Sequence, residues 1–393
     1  MDASDQGLFA RIGSRGTVRN LRLNTVSITT ITTGSSNVGS LAGSNNGTVE
    51  NCYVSGISVV SSGANVGGLI GFNTGRIRNS SSAATVTGIT GTNSTGFGGL
   101  VGTNGDDGII ENSNVTGNVT SEGHSVGGIA GSNRGLVMNS YTTGNVTGRN
   151  EVGGVVGSSI NTVINSRSTG NVTGRRNVGG VAGRISIGAL IEFCYAEGII
   201  TSNGADVTPT SIDFISGVGG IVGFNYGGTV RNCYATGNIT IENTQLPVIT
   251  TYPPPSIGGI AGINTGTILY CYASGIISSL PNNSGAPPHV GGVVGINGWV
   301  SPLNSGGTIQ SCVALNPTVS ADTINQIGRV AGSHELGGTL SNNHARQDMT
   351  FSGSVTNDSN DTDGGTRTSW DTAWFRSIGF TNSWWTGRLP SGP

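Results

Sequence analysis

The chain repeats itself, and that constrains its fold more than any other property. Val126-Gly127-Gly128-Ile129-Ala130-Gly131 is followed by Val137-Met138-Asn139-Ser140-Tyr141 and then by Gly144-Asn145-Val146-Thr147-Gly148. The same blocks return in the same order from Val152 and again from Val178. With the second glycine of the first block as marker, copies fall at Gly7, Gly68, Gly99, Gly128, Gly154, Gly180, Gly220, Gly259 and Gly292. Ser40 and Arg329 hold that place in two degenerate copies, which makes eleven, spaced by 26 to 40 residues. A unit this short cannot bury a core alone, but stacked units can cover one another. Each holds three short runs in which Val and Ile alternate with polar residues, as strands with one buried face do. No helical period is sustained, and the glycine density opposes one. The predicted fold is all-β: a single-stranded β-solenoid (β-helix) of about eleven rungs, roughly 50 Å long at ~4.8 Å per rung, with a small C-terminal cap.

Stacking turns each repeat position into a ladder. An aliphatic residue stands two before a recurrent Asn: Val18, Val49, Ile77, Ile110, Val137, Val163 and Val230. These are expected to point inward. The residue between points outward, and there Arg19, Glu50, Arg78 and Glu111 alternate in sign, as do Glu192 and Arg231. Opposite charges on neighbouring strands attract. The Asn itself recurs as Asn20, Asn51, Asn79, Asn112, Asn139, Asn165, Asn232 and Asn342, interrupted by Phe193, Tyr270 and Ser311. Amides stacked at a corner can satisfy one another and the turn backbone, so Asn51, Asn79, Asn112, Asn139, Asn165 and Asn232 read as a structural ladder. The next position takes Cys52, Cys194, Cys233, Cys271 or Cys312, and Ser80, Ser113, Ser140 or Ser166 elsewhere. A slot shared by Cys and Ser is small. With an odd number of cysteines and no CxxC pair, free structural thiols are expected, with no disulfide and no zinc site.

Composition removes several function classes. The 393 residues include 69 glycines but only 12 prolines, and glycine does not recur every third residue, so a collagen helix is out. The net charge is −2 and all 18 basic residues are arginine, which leaves no electrostatic footprint for nucleic acid. No apolar run approaches the ~20 residues of a membrane helix, so no membrane insertion is expected. The opening Met1-Asp2-Ala3-Ser4-Asp5-Gln6 lacks the features of a secretory signal.

The block V-G-G-[LIV]-[VAI]-G-x-N-x-G-x-[IV]-x-N-[SC]-Y-A-T-G resembles the GLUG repeat. It stands nearly complete from Val218 to Gly237, and Val66 to Ser82 and Ile257 to Gly275 match closely. The resemblance spans about residues 7 to 345, so residues 1–346 are expected to form the array and 347–393, with Trp370, Trp384 and Trp385, a capping segment. GLUG arrays occur in large bacterial surface and secreted proteins, including adhesins of the filamentous-haemagglutinin type, and beside the catalytic domain of IgA-specific metallopeptidases. The resemblance therefore implies an extracellular, non-enzymatic adhesion or stalk module, with a glycan or a host or neighbour-cell surface protein as partner. It carries over no catalytic residue and no cofactor. The first copy begins almost at Met1, and an uncovered first rung invites aggregation, so a larger parent chain is expected.

On a repeat scaffold, function usually hangs on insertions. Ser202 to Ser216, Ile241 to Ser256 and Ser278 to His289 share one rung position and are expected to form a shelf along one edge. Smaller insertions run from Asn24 to Asn37 and Thr87 to Thr95, and Gly298 to Gly307 sits on another turn. Phe214, Tyr252 and Trp299 are the aromatics on these loops and the candidate ligand contacts. Two alternatives remain at this stage. One is a polysaccharide-acting β-helix enzyme, which needs converging acids. Asp106-Asp107 is the clearest adjacent pair, and the four histidines lack metal-ligand spacing. The other is ice binding through the Thr/Asn face of Asn118/Thr120, Asn145/Thr147, Asn171/Thr173 and Asn238/Thr240. Asp358, Asp361 and Asp363 lie in an oxygen-rich stretch that suits calcium but lacks the EF-hand order; it reads foremost as a solvated loop.

Overall fold

The computed structural model describes residues 5–25, 27–30, 37–56, 58–89, 95–204, 216–242, 255–280, 288–298, 305–321, 326–334, 337–352 and 365–391. These residues coil through eleven rungs, and every rung gives one strand to each of five parallel sheets, here A to E in chain order. In the third rung they are Asn65–Gly67 (A), Ile70–Asn73 (B), Arg76–Arg78 (C), Ser81–Ser82 (D) and Thr85–Gly88 (E). The β-solenoid is thus as expected, but three strands per repeat was an undercount. The V-G-G block is split between sheets A and B by Gly68-Leu69, and the Asn block between C and D by the Asn itself.

That Asn is the C–D corner. Asn20, Asn51, Asn79, Asn112, Asn139, Asn165, Phe193, Asn232, Tyr270, Ser311 and Asn342 all have φ between 47° and 58°. This is the left-handed region, where Asn is the best tolerated residue after glycine. Amide-to-amide bonding is a lesser part of the ladder than expected: Asn51 donates to Asn20 at 3.2 Å and Asn165 to Asn139 at 2.7 Å.

A second asparagine file, at the B–C corner, lies inside the core. Asn45, Asn73, Asn104 and Asn133 are wholly buried, as are Asn225, Asn264 and Asn297. Asn45 donates to Asn73 at 2.8 Å, Asn73 to Asn104 at 2.8 Å and Asn104 to Asn133 at 2.9 Å. Asn225 donates to Asn264 at 2.7 Å and Asn264 to Asn297 at 2.8 Å. All of these amides but Asn133 also close their own turn, as Asn73 does on the Gly75 carbonyl. A buried amide is affordable only when satisfied in this way. Ser159 and Ile185 interrupt the file in the sixth and seventh rungs.

The recurrent glycines are explained by the seam between sheets A and B. A Cβ on Gly71 would lie 2.4 Å from the Val38 nitrogen, and one on Gly131 2.2 Å from the Phe97 nitrogen. The two sheets meet backbone to backbone, so any side chain there would force them apart. The apolar files turn the other way: Val66, Phe97, Val126, Val152 and Val178 are fully buried, as are Val49, Ile77, Ile110, Val137, Val163 and Val230.

The charge file of sheet C is in register, Arg19 opposite Glu50 opposite Arg78 opposite Glu111. Arg78 pairs with Glu50 at 3.0 Å and Arg231 with Glu192 at 2.7 Å, whereas Glu111 takes Arg76 at 2.6 Å. All five cysteines are free and buried. Burial pushes the Cys194, Cys233 and Cys271 thiols well above their ordinary range.

The C-terminal residues do two things. Gly365–Arg367 adds a twelfth strand to sheet D beside His344–Arg346. The chain then folds back along the outer side of that sheet through a short helix, Thr372–Ser377, capped by the Asp371 carboxylate on the Trp374 N–H. Phe375, Phe380 and Trp385 are fully buried there against Tyr234, Tyr272, Val313 and Leu315.

Candidate functional site

Regular faces and variable corners divide the surface. In sheet E, Thr87, Thr120, Thr147, Thr173, Thr201 and Thr240 stand in register. Beside this file the Asn side chains serve the backbone: the Asn118, Asn145 and Asn171 carbonyls accept the N–H of Asn145, Asn171 and Ile199 at 2.9 to 3.0 Å. Exposed Ile199 and Ile276 share the Asn file. The face is therefore less uniformly polar than its sequence pattern.

The large insertions leave from one corner, between sheets E and A, as their shared repeat position implies. Ile200–Ser202 ends in sheet E before the first, and Gly217–Gly219 resumes in sheet A after it. The insertion with Trp299 leaves instead from the B–C corner, between Val294–Asn297 and Thr308–Gln310. Phe214, Tyr252 and Trp299 lie outside the described residues, and so do Asp358, Asp361 and Asp363.

Among the described residues, a cleft of about 450 Å³ opens over the third to fifth rungs. It arises from one local change. Between sheets B and C the third rung has Thr74-Gly75 and the fifth has Arg134-Gly135, but the fourth has Gly105-Asp106-Asp107-Gly108. The two extra residues make a turn, closed by the Gly108 N–H on the Gly105 carbonyl at 2.9 Å. Turns of similar form stand at Gly13–Gly16 and Ser186–Ala189, but only this one carries acids. Arg134, one rung on, grips Asp106 with both arms, Nε to Oδ1 at 2.8 Å and Nη2 to Oδ2 at 3.3 Å. This hydrogen bond holds the Asp106 carboxyl below its usual range. Asp107 is exposed and has no partner among the described residues.

The floor comes from sheet B, where Phe72, Thr103 and Ser132 are in register. Thr103 donates to Asn65 at 2.6 Å, and Asn65 donates to Asn37 at 2.7 Å. The floor is thus fixed by a polar chain along the rim of the A–B seam. The chain resumes at Ser125, itself in the cleft lining, which donates to Glu151 at 2.7 Å, and Arg184 reaches Glu151 at 3.4 Å. Gly105 brings backbone against the Phe72 ring: a Cβ there would sit 3.2 Å from its Cζ. Sequence reading noted Asp106-Asp107 as an acid pair, but Phe72 and Arg134 carried no mark. The readable signal was the two-residue lengthening of one repeat.

Comparison with known proteins agrees with this unit. The GLUG motif matches at residues 62–87, 93–120 and 216–240. Each match starts just before a sheet A strand and ends in sheet E, so one motif is one complete rung. A search of curated proteins found no match. Among solved structures the chain is similar to a "putative immunoglobulin A1 protease" from Bacteroides ovatus, with 20% identity over 68% of this chain and 72% of that one and a TM-score of 0.40. Three rungs of this eleven-rung β-solenoid thus carry the GLUG motif, each match seated on one whole rung.

Proposed function

We propose that this chain is a rigid, non-catalytic binding module that works outside the cell or at its surface, as an adhesive or stalk segment. The observation that carries the reading is the unbroken register of five sheets through eleven rungs, with variation confined to corners. A rod of this kind transmits force and holds a display surface at a fixed distance. The acids support binding over catalysis: Glu50, Glu111, Glu192, Glu151, Asp5, Asp106 and Asp348 are each engaged by an arginine. A carboxylate held by a guanidinium is a poor proton shuttle near neutral pH. The expected partner is a glycan or a surface protein of a host or neighbouring cell.

Beads coated with the full chain test this. They should be retained on a glycan-bearing cell layer under flow, against albumin-coated beads as control, and release no new reducing ends from polysaccharides. Retention no better than albumin would overturn the adhesive reading, and steady release of reducing ends the non-catalytic one.

A further inference from the structure

We propose that the cleft over the third to fifth rungs is a saccharide-binding site, selective for uncharged or amine-bearing sugars, with Phe72 as stacking platform and Asp107 as hydroxyl acceptor. The inference rests on the reading of the chain as a binding module and adds a place and a ligand class to it.

The chemistry of the lining selects the ligand. One aromatic ring, Phe72, lies among hydroxyls and carboxylates: Thr74, Thr103, Ser132, Asp106 and Asp107. A purely apolar ligand would bury the Thr74 and Ser132 hydroxyls and the Asp107 carboxylate, which have no side-chain partner among the described residues, at a cost in desolvation. A sugar ring answers both parts, with C–H faces that lie on an aromatic ring and equatorial hydroxyls that donate to a carboxylate. The cleft volume falls within the usual range for small-ligand sites.

Charge sets the preference among sugars. The Asp106 carboxylate and the Arg134 guanidinium satisfy each other, so Asp107 leaves the cleft with one net negative charge. A uronic or sialic acid would meet like charge there, whereas an amino sugar would meet its complement. The fixed Arg134–Asp106 wall lowers the ordering cost of binding. Gly105 keeps the ring approachable, because a larger residue at that position would crowd the Phe72 edge.

The test is a glycan array and titration calorimetry with the full chain, using neutral, amino and acidic oligosaccharides. Wild-type protein should bind neutral or amino members in preference to acidic ones. Phe72→Ala and Asp107→Asn should each weaken binding at least tenfold, and Phe72→Tyr should retain it. Circular dichroism confirms that the variants fold, and Asp107→Asn, on an exposed turn, guards against loss of structure in Phe72→Ala. No saccharide binding by the wild type, a preference for acidic glycans, or binding untouched by both variants would overturn the proposal. Bead adhesion that persists in both variants would sink the cleft and leave the module reading standing. Array binding by a chain that fails to hold cells would do the reverse.

Discussion

Sheet D is two different surfaces along one rod. In the third to sixth rungs its corner slot holds Ser80, Ser113, Ser140 and Ser166, and its outward positions are Ser81, Asn114, Tyr141 and Arg167. In the seventh to tenth the slot holds Cys194, Cys233, Cys271 and Cys312, and the outward positions are Tyr195, Tyr234, Tyr272 and Val313. The serines bond across rungs, each hydroxyl accepting the preceding rung's N–H at 3.1 to 3.2 Å and donating to a carbonyl two residues back. The thiols are poorer partners and pack as small apolar groups. The slot itself already takes Cys52 in the second rung, but the reason for the change at the outward positions lies outside the sheet. Over the seventh to tenth rungs the C-terminal segment covers it, so both faces are buried and the strands turn apolar. Tyr195, Tyr234 and Tyr272 stack at 4.7 and 5.1 Å, and Trp385 and Phe375 close over them. Two of the three breaks in the corner Asn ladder have the same cause: Phe193 meets Trp384, Tyr270 meets Phe380, and Asn232 between them accepts from the Trp385 indole at 3.4 Å.

The largest test of this contrast is Trp385→Ala. Removing a fully buried indole should cost about 3–5 kcal/mol in docking of the C-terminal segment. Hydrogen exchange should then rise in sheet D of rungs seven to ten and stay unchanged in rungs three to six; an equal rise in both would break the two-surface view.

Acid should weaken the same half. Burial pushes the His289 imidazole down from 6.5 to about 4, and its Nδ1 has no hydrogen-bond partner among the described residues. The unfolded chain takes up a proton near pH 6.5 that the folded chain refuses until about 4. Stability is therefore highest above that window, falls as pH drops through it, and levels off below. The total change is on the order of 3 kcal/mol. Denaturant titrations between pH 7 and 4 should show this slope, and His289→Leu should flatten it.

Next in size is the difference between the two asparagine files. Asn104→Ala strands the Asn73 donor and the Asn133 and Gly108 acceptors inside the core, for about 2–3 kcal/mol. Asn112→Ala changes only an exposed corner at φ 49°, for about 1 kcal/mol. Chemical denaturation should rank them in that order. Smallest is Cys233→Ser, which fills the slot as the third to sixth rungs do and should cost under about 1 kcal/mol. With their pKa values raised by burial, the Cys194, Cys233 and Cys271 thiols should resist a disulfide reagent at pH 8 until the chain unfolds.

Much of this was legible because stacking maps repeat position onto space. The aliphatic file from Val49 to Val230, the Arg19–Glu50–Arg78–Glu111 alternation and the buried thiols all follow from placing each copy above the last. The interior amides of Asn73 and Asn104 recur in seven of the eleven copies, yet polar residues read as surface until a turn is seen to need them inside. The cleft was less legible still. Phe72, Asp107 and Arg134 belong to three different rungs, and nothing in their own sequence neighbourhoods joins them.

What the sequence by itself determined is the coil: a period of 26 residues or more, too short to bury a core alone, leaves stacking as the stable solution. Only the tertiary structure decided which glycines hold two sheets together, which asparagines lie inside, and where the C-terminal aromatics land. Those outcomes depend on contacts between rungs and between sheets, and a linear pattern records a residue's own period but not what comes to rest against it.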